Sequence, residues 1–359
     1  MREAAMPHAT TRPRNRAERG SVTLFFLLFL IPLLMFGAFA IDLARVAVVR
    51  NELQNAADAA ALAGAANLMS NSATSPSTSG TPSWTSASTA ATSGISLNAS
   101  DGVTLSTDTV QYGYWNVSGT PSSMQSSTLT LSSYDTNDVP AVQVTVTRQT
   151  SVNGGPIGLL LAHLFGVSST TGSATAVAIM AAPGTVNAGG LFPVALDKCI
   201  YDQYWNSSTN QPLIDPTTGA PYEFEITNGQ TYGTSSCSAG QWTSFLVQAS
   251  DTPTIRTLIA DGNPSAISIG NSIWLEPGAK TTLYSSVPTG TTVLMPVATL
   301  TSSNTYVQVV AFAAFYIDNS CGGSSKYIQG HFVANYKISV STSGVGPPFG
   351  AYTPPRLAL

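Results

Sequence analysis

The chain has 359 residues, of which 43% are hydrophobic and only 9% charged, with a formal net charge of −4 at pH 7. This leaves room for one or two globular domains with a real core and argues against a chain dominated by disorder. Beyond Arg50 it carries seven Lys and Arg, too few to displace counterions from phosphates, so no nucleic-acid partner is expected.

Residues 1–20 form a basic tail with Arg2, Arg12, Arg14, Arg16 and Arg19. Residues 21–41 hold no charge at all, and at about 1.5 Å per residue they reach roughly 30 Å, the hydrocarbon thickness of a bilayer. A transmembrane helix is predicted there, with Pro32 as a kink site that membrane helices tolerate. Ala38-Phe39-Ala40 imitates a signal-peptidase site, but the apolar run is longer than a signal peptide's and helix propensity continues past it. The arginine excess before the span places the tail in the cytoplasm and the bulk of the chain across the membrane, with the lipid bilayer as a partner. Residues 42–68 are Ala-rich and contain no breaker, so they extend the same helix to about 70 Å in all. Gly37, Ala40 and Ala44 share a face, and Leu53, Ala57, Ala60 and Gly64 continue as an Ala-rich stripe. These seven are candidate helix-packing positions, either between chains, which implies self-association, or against this chain's own domain.

Residues 69–98, rich in Ser and Thr, read as a linker. Residues 99–184 read as a first α+β region, with strands over 102–105, 110–115, 127–131, 141–147 and 174–180. Val142, Val144 and Val146 alternate there with Gln143, Thr145 and Thr147, the period of a half-buried strand. The apolar block from Pro156 to Gly166 predicts a short packed helix that Gly166 ends. Residues 185–342 read as a β-rich module, with strands expected over 192–196, 222–226, 272–275, 281–284, 292–297, 306–317 and 327–338 and one helix from Thr252 to Gly262. Residues 343–359 contain Pro347-Pro348 and Pro354-Pro355 and are expected to be an extended tail. The fold class is α+β: a transmembrane helix continuing into an extracytoplasmic helix, then a predominantly β extracytoplasmic region.

The three cysteines all follow the span. Cys199 with Cys237 is the favoured disulfide, since both flank a loop-rich stretch, and Cys321 is left over. By the chain-entropy model a loop of that size contributes about 4 kcal/mol. No metal-ligand spacing accompanies them, and no metal, cofactor or catalytic residue is assigned. His163 is expected to pack in its apolar block, and His331 to sit in a strand. The acidic pairs Asp135 with Asp138 and Glu223 with Glu225 lack a general base at a recognised spacing, which leaves an envelope enzyme as the third choice. Tyr201, Tyr204, Trp205, Tyr222 and Tyr232 cluster near the disulfide, as core cover or as a binding surface.

The segment from Arg19 to Phe25, the apolar span, the run Ala40-Ile41-Asp42-Leu43-Ala44-Arg45 and the run from Leu53 to Ala65 together resemble the N-terminus of TadE/TadG-like proteins of the tight-adherence (Flp) pilus assembly system. A looser resemblance continues through Tyr112-Gly113-Tyr114-Trp115, Val142 to Val146, Leu164-Phe165-Gly166 and Ala174 to Ala178. The resemblance implies a single-pass protein of the bacterial inner membrane with a periplasmic or extracellular bulk, acting as a structural or accessory component of pilus biogenesis beside other Tad assembly proteins. A membrane-tethered adhesin or binding module is the alternative. Prepilins of this system are cut after a glycine and carry glutamate at the fifth mature position. Here a cut between Gly20 and Ser21 would put Phe25 at that position, which argues against processing. The Asp-x-Ser-x-Ser metal motif of some TadG-like chains does not occur.

Overall fold

The structure is a computed structural model and describes residues 21–69, 81–106, 108–130, 137–227, 231–232, 237–278, 280–340 and 342–358. The basic tail, Gly20 and Asp135 therefore lie outside the described residues. Helix α1 runs unbroken from Ser21–Ala66 and passes through Pro32. It is long and apolar enough to cross a membrane. Its two halves live in different surroundings. From Val22 to Ile41 the large side chains except the half-buried Leu30 are exposed, Leu24 by 67% and Phe36 by 75%, while Val46, Val49, Leu53, Ala56, Ala57, Ala60, Ala61 and Ala65 form a buried stripe with steps of three and four. A helix that is apolar all round gives way to one with a single apolar face.

The stripe is buried by the chain itself. Helix α2 (Trp84–Ser96) lies along α1 with Ala87, Ala91, Gly94 and Ile95 turned inward. The expected linker over 69–98 is thus corrected: its second half is a helix, formed because α1 offers a surface against which an Ala/Ser sequence of weak amphipathicity can dock. Beneath both helices is an antiparallel sheet of β1 (Asp108–Asn116), β2 (Asp138–Arg148) and β3 (Gly172–Ile179), in the order β3-β2-β1. Val142, Val144 and Val146 stand opposite Ala178, Ala176 and Ala174, and this Val/Ala face meets the α1 stripe. Small residues on both sides let helix and sheet approach closely. A Cβ on Gly64 would lie 2.9 Å from Val142 Cγ1 and 3.0 Å from Ala91 Cβ. Full burial of Leu53 alone contributes about 1.5–3 kcal/mol.

The second unit is built on a seven-stranded sheet containing β4 (Val194–Asp197), β5 (Phe224–Ile226), β6 (Gly240–Phe245), β7 (Ser272–Leu275), β8 (Thr291–Ala298), β9 (Thr305–Cys321) and β10 (Tyr327–Phe332), in the order β5-β10-β9-β7-β6-β4-β8. Because β8 also pairs with β9, five strands close on themselves. The 17-residue β9 makes this closure: its start pairs with β7, its middle with β8 and its end with β10. Register shifts at Val297/Ala298 and Ile317/Asn319 mark bulges of the kind that let a sheet bend. Trp242, Phe245, Phe312, Phe315 and Phe332 fill the core. Helix α3 (Lys198–Tyr204) follows β4, and α4 (Thr252–Asp261) is capped by the Asp251 carboxylate and ends at Gly262. Residues 281–284, expected as a strand, instead run through a turn into a 3-10 helix (Tyr284–Ser286). Residues 127–131 form no strand up to Thr130, and Leu131 lies outside the described residues.

The tail is a tie between the units, which corrects the extended Pro-rich tail expected over 343–359. Phe349, Ala351, Tyr352 and Thr353 are buried, and β11 (Arg356–Leu357) adds to the edge of β3 opposite Ile179 and Ala178. Tyr352 packs in the core of the first unit while its hydroxyl accepts a hydrogen bond from Asn210 Nδ2 at 2.6 Å. Lys337 Nζ donates to the carbonyl of Ala66 at 2.5 Å, satisfying one of the open carbonyls at the C-terminus of α1.

Candidate functional site

The chemistry-bearing residues of α1 gather where its exposed apolar half ends. Asp42, the first residue after the uncharged run, is only 4% exposed. Its carboxylate accepts hydrogen bonds from the backbone N–H of Leu160 at 2.7 Å, of Leu161 at 3.0 Å and of Ala162 at 2.6 Å. Burial pushes the Asp42 carboxyl up, but these three N–H groups and the charge of Arg45 outweigh it and hold the group below the ordinary carboxylate value. The stability this gives is complete above the unfolded pKa and is lost as pH falls through the lowered folded one. One turn on, Arg45 pairs with Asp101 at 3.0 Å, and Arg148 reaches the same carboxylate at 3.4 Å. The Asp101 N–H donates to Glu52 at 2.7 Å. Arg148 is nearly buried and also donates to the carbonyls of Gly155 and Ser100. This collar joins α1 to residues 100–101, Arg148 and Gly155 just past the end of its apolar half.

Asp42 caps a finger that the sequence predicts as a packed helix. Ile157–Gly158 pairs with Ser169–Thr170, and between them Ala162–Phe165 makes a single 3-10 turn closed by Gly166 in the left-handed region, φ +84°. The finger's tip is open: Leu160 is 58% exposed, Leu164 76%, Phe165 55% and Val167 52%. His163 is exposed as well, so the packed position expected for it is corrected.

Of the seven candidate helix-packing positions, Leu53, Ala57, Ala60 and Gly64 are buried against α2 and the sheet. Their packing is within the chain, against its own domain. Gly37, Ala40 and Ala44 remain exposed, and a Cβ on Gly37 would meet nothing within 4 Å. Ser21 opens α1.

In the second unit Cys199 and Cys237 are disulfide-bonded with Cα atoms 5.9 Å apart, and Cys321 is free. Asp197 lies beside these sulfurs, but its carboxylate caps α3, and sulfurs joined to each other offer no thiolate to a metal. Of the aromatic cluster, Tyr201 and Trp205 are buried in the second core and Tyr204 is half-buried against it, while Tyr222 is exposed. Tyr201 stacks on Phe349 with ring centroids 3.8 Å apart, and Tyr204 stacks on Phe224 at 5.1 Å; Tyr232 lacks a described side chain. The histidine and acidic groups make structural pairs: His331 Nδ1 with Asp318 at 2.8 Å, Gln329 donating to Glu223 at 2.8 Å, and Asp138 accepting from Asn116 at 2.8 Å. A cleft of about 380 Å³ lies between the units, bordered by Met69, Tyr114, Asp138, Asn210 and Tyr352.

Residues 20–67 match the family model described as putative Flp pilus-assembly TadE/G-like, and residues 46–178 match the one described as putative Tad-like Flp pilus-assembly. Together these take in α1, α2 and the three long strands of the first sheet. Both families belong to pilus assembly and neither is enzymatic by description. No curated protein and no solved structure matches the chain.

Proposed function

We propose that this TadE/TadG-like chain is a single-pass membrane protein that serves Flp/Tad pilus biogenesis as a structural or accessory component, with α1 fastening a β-rich body to the bacterial inner membrane. The observation that carries the reading is the continuity of α1. One continuous helix has an exposed apolar half of bilayer length, with Pro32 inside it, and a second half built into a core, so the body is joined to the apolar half without a loop between them. The collar of Arg45, Glu52, Asp101 and Arg148 supports a fixed exit angle. Orientation follows from the arginine-rich tail, which stays cytoplasmic. Partners are the lipid bilayer and other Tad assembly proteins, and the exposed Gly37, Ala40 and Ala44 face supplies a place for a neighbouring helix or a second copy to pack.

A chromosomal deletion tests the role. Cells lacking the chain are expected to bear few or no pili by electron microscopy, with number restored by the full chain. The cleft between the units favours a second reading, a tethered binding module; pili of normal number with reduced adherence would select it and discard the assembly role.

A further inference from the structure

Four large apolar side chains within eight residues, all more than half exposed, are unusual for a surface facing water, where such residues are normally scattered singly. The finger that carries them has no Asp, Glu, Lys or Arg between Pro156 and Thr171. It is also firmly placed. Its base is a strand pair with Ile157 fully buried in the first core, and its near side is bound by three backbone N–H groups to Asp42. Asp42 is the residue at which the uncharged run of α1 ends. The tip therefore stands beside the helix at the level where a bilayer crossed by residues 21–41 would reach its polar boundary. Leucine and phenylalanine on a rigid turn at that level partition into the headgroup and upper acyl region, and Ile41 and Leu43, either side of Asp42 on α1, are exposed as well.

We propose that residues 159–167 are a membrane-docking finger that buries Leu160, Leu164, Phe165 and Val167 in the leaflet from which α1 emerges. The occupant of this surface is lipid. With two contacts, a span and a finger, the body cannot swing about the helix end, and its face toward the membrane is set. The proposal rests on the reading of residues 21–41 as a span.

The test uses the full chain in phosphatidylcholine/phosphatidylglycerol vesicles. A Cys321→Ser background leaves Cys199 and Cys237 in their disulfide, and single cysteines are introduced as Phe165→Cys, Phe29→Cys or Leu97→Cys and labelled with an environment-sensitive fluorophore. Phe29 reports the span, and Leu97, 87% exposed, reports water. Loss of emission with shallow nitroxide lipids is expected at 165, loss with deep nitroxide lipids at 29, and neither at 97. A label at 165 as unaffected by nitroxide lipid as the one at 97, with 29 quenched, overturns the finger and leaves the span standing. The same holds if 165 is shielded from aqueous iodide yet unquenched by lipid, since a second copy would then cover it. Absence of lipid quenching at both 29 and 165 overturns finger and span together.

Discussion

Replacing Gly64 by leucine is expected to lower the thermal midpoint of the chain by roughly 5–10 °C, the consequence of about 1–3 kcal/mol of overpacking in a unit of this size. The site has no slack. A single Cβ already meets Val142, Ala91 and the carbonyl of Ala87 within 3.1 Å, and three further carbons would have to push α2 or β2 away from α1. On the other side of the same crossing, a Cβ on Gly94 would stand 3.1 Å from Ala60 Cα. Gly37→Leu is the matched control, since nothing lies within 4 Å of that position; its midpoint should equal that of the parent chain. Calorimetry in detergent checks both. If Gly37→Leu then reduces pilus number in cells while the midpoint is unchanged, the exposed face of the span is where a neighbouring helix packs.

Truncating the ring of Phe349 is expected to cost about 3–5 kcal/mol, the range for a fully buried Phe→Ala change. The ring is 3% exposed and lies flat on Tyr201, and the chain continues from it into Tyr352 and the β11 pairing with β3. Loss of this anchor should free the segment that ties the two units. Limited proteolysis of Phe349→Ala should therefore cut near residues 343–359 at protease levels that leave the parent intact, and urea unfolding should separate into two transitions. A single transition with an unchanged midpoint would show that the tail contributes nothing to coupling.

Which parts of this architecture the sequence disclosed follows from where each element gets its stability. Helix α1 was legible because its signals are local: an uncharged run of bilayer length, then helix formers without a breaker. The strand at Val142 to Val146 announces itself by alternation, and α4 by the run from Thr252 that Gly262 stops. Helix α2 carries no such mark. Its inward face is Ala87, Ala91, Gly94 and Ile95, small residues that a hydropathy period hardly registers, and the docking surface on α1 makes it helical. Strand β6 is buried at all six positions, so it shows no alternation. The tail's prolines point to an extended chain, but only the distant edge of β3 decides that it pairs. At the candidate site the sequence supplied Asp42 as a boundary charge, whereas its grip on residues 160–162 lies 118 to 120 positions away. The finger itself was misread for a physical reason: an apolar block looks the same in sequence whether it is buried in protein or turned outward.

The proposal that one helix holds a β-rich body on the far side of the inner membrane is most directly tested by thiol labelling in spheroplasts. In a Cys321→Ser background, a cysteine placed as Leu97→Cys should react with a membrane-impermeant maleimide in intact spheroplasts, one placed as Ala5→Cys should react only after permeabilisation, and the chain should stay in the membrane pellet through alkaline carbonate. Labelling of position 5 but not 97 in intact spheroplasts, or release of the chain by carbonate, would contradict the account.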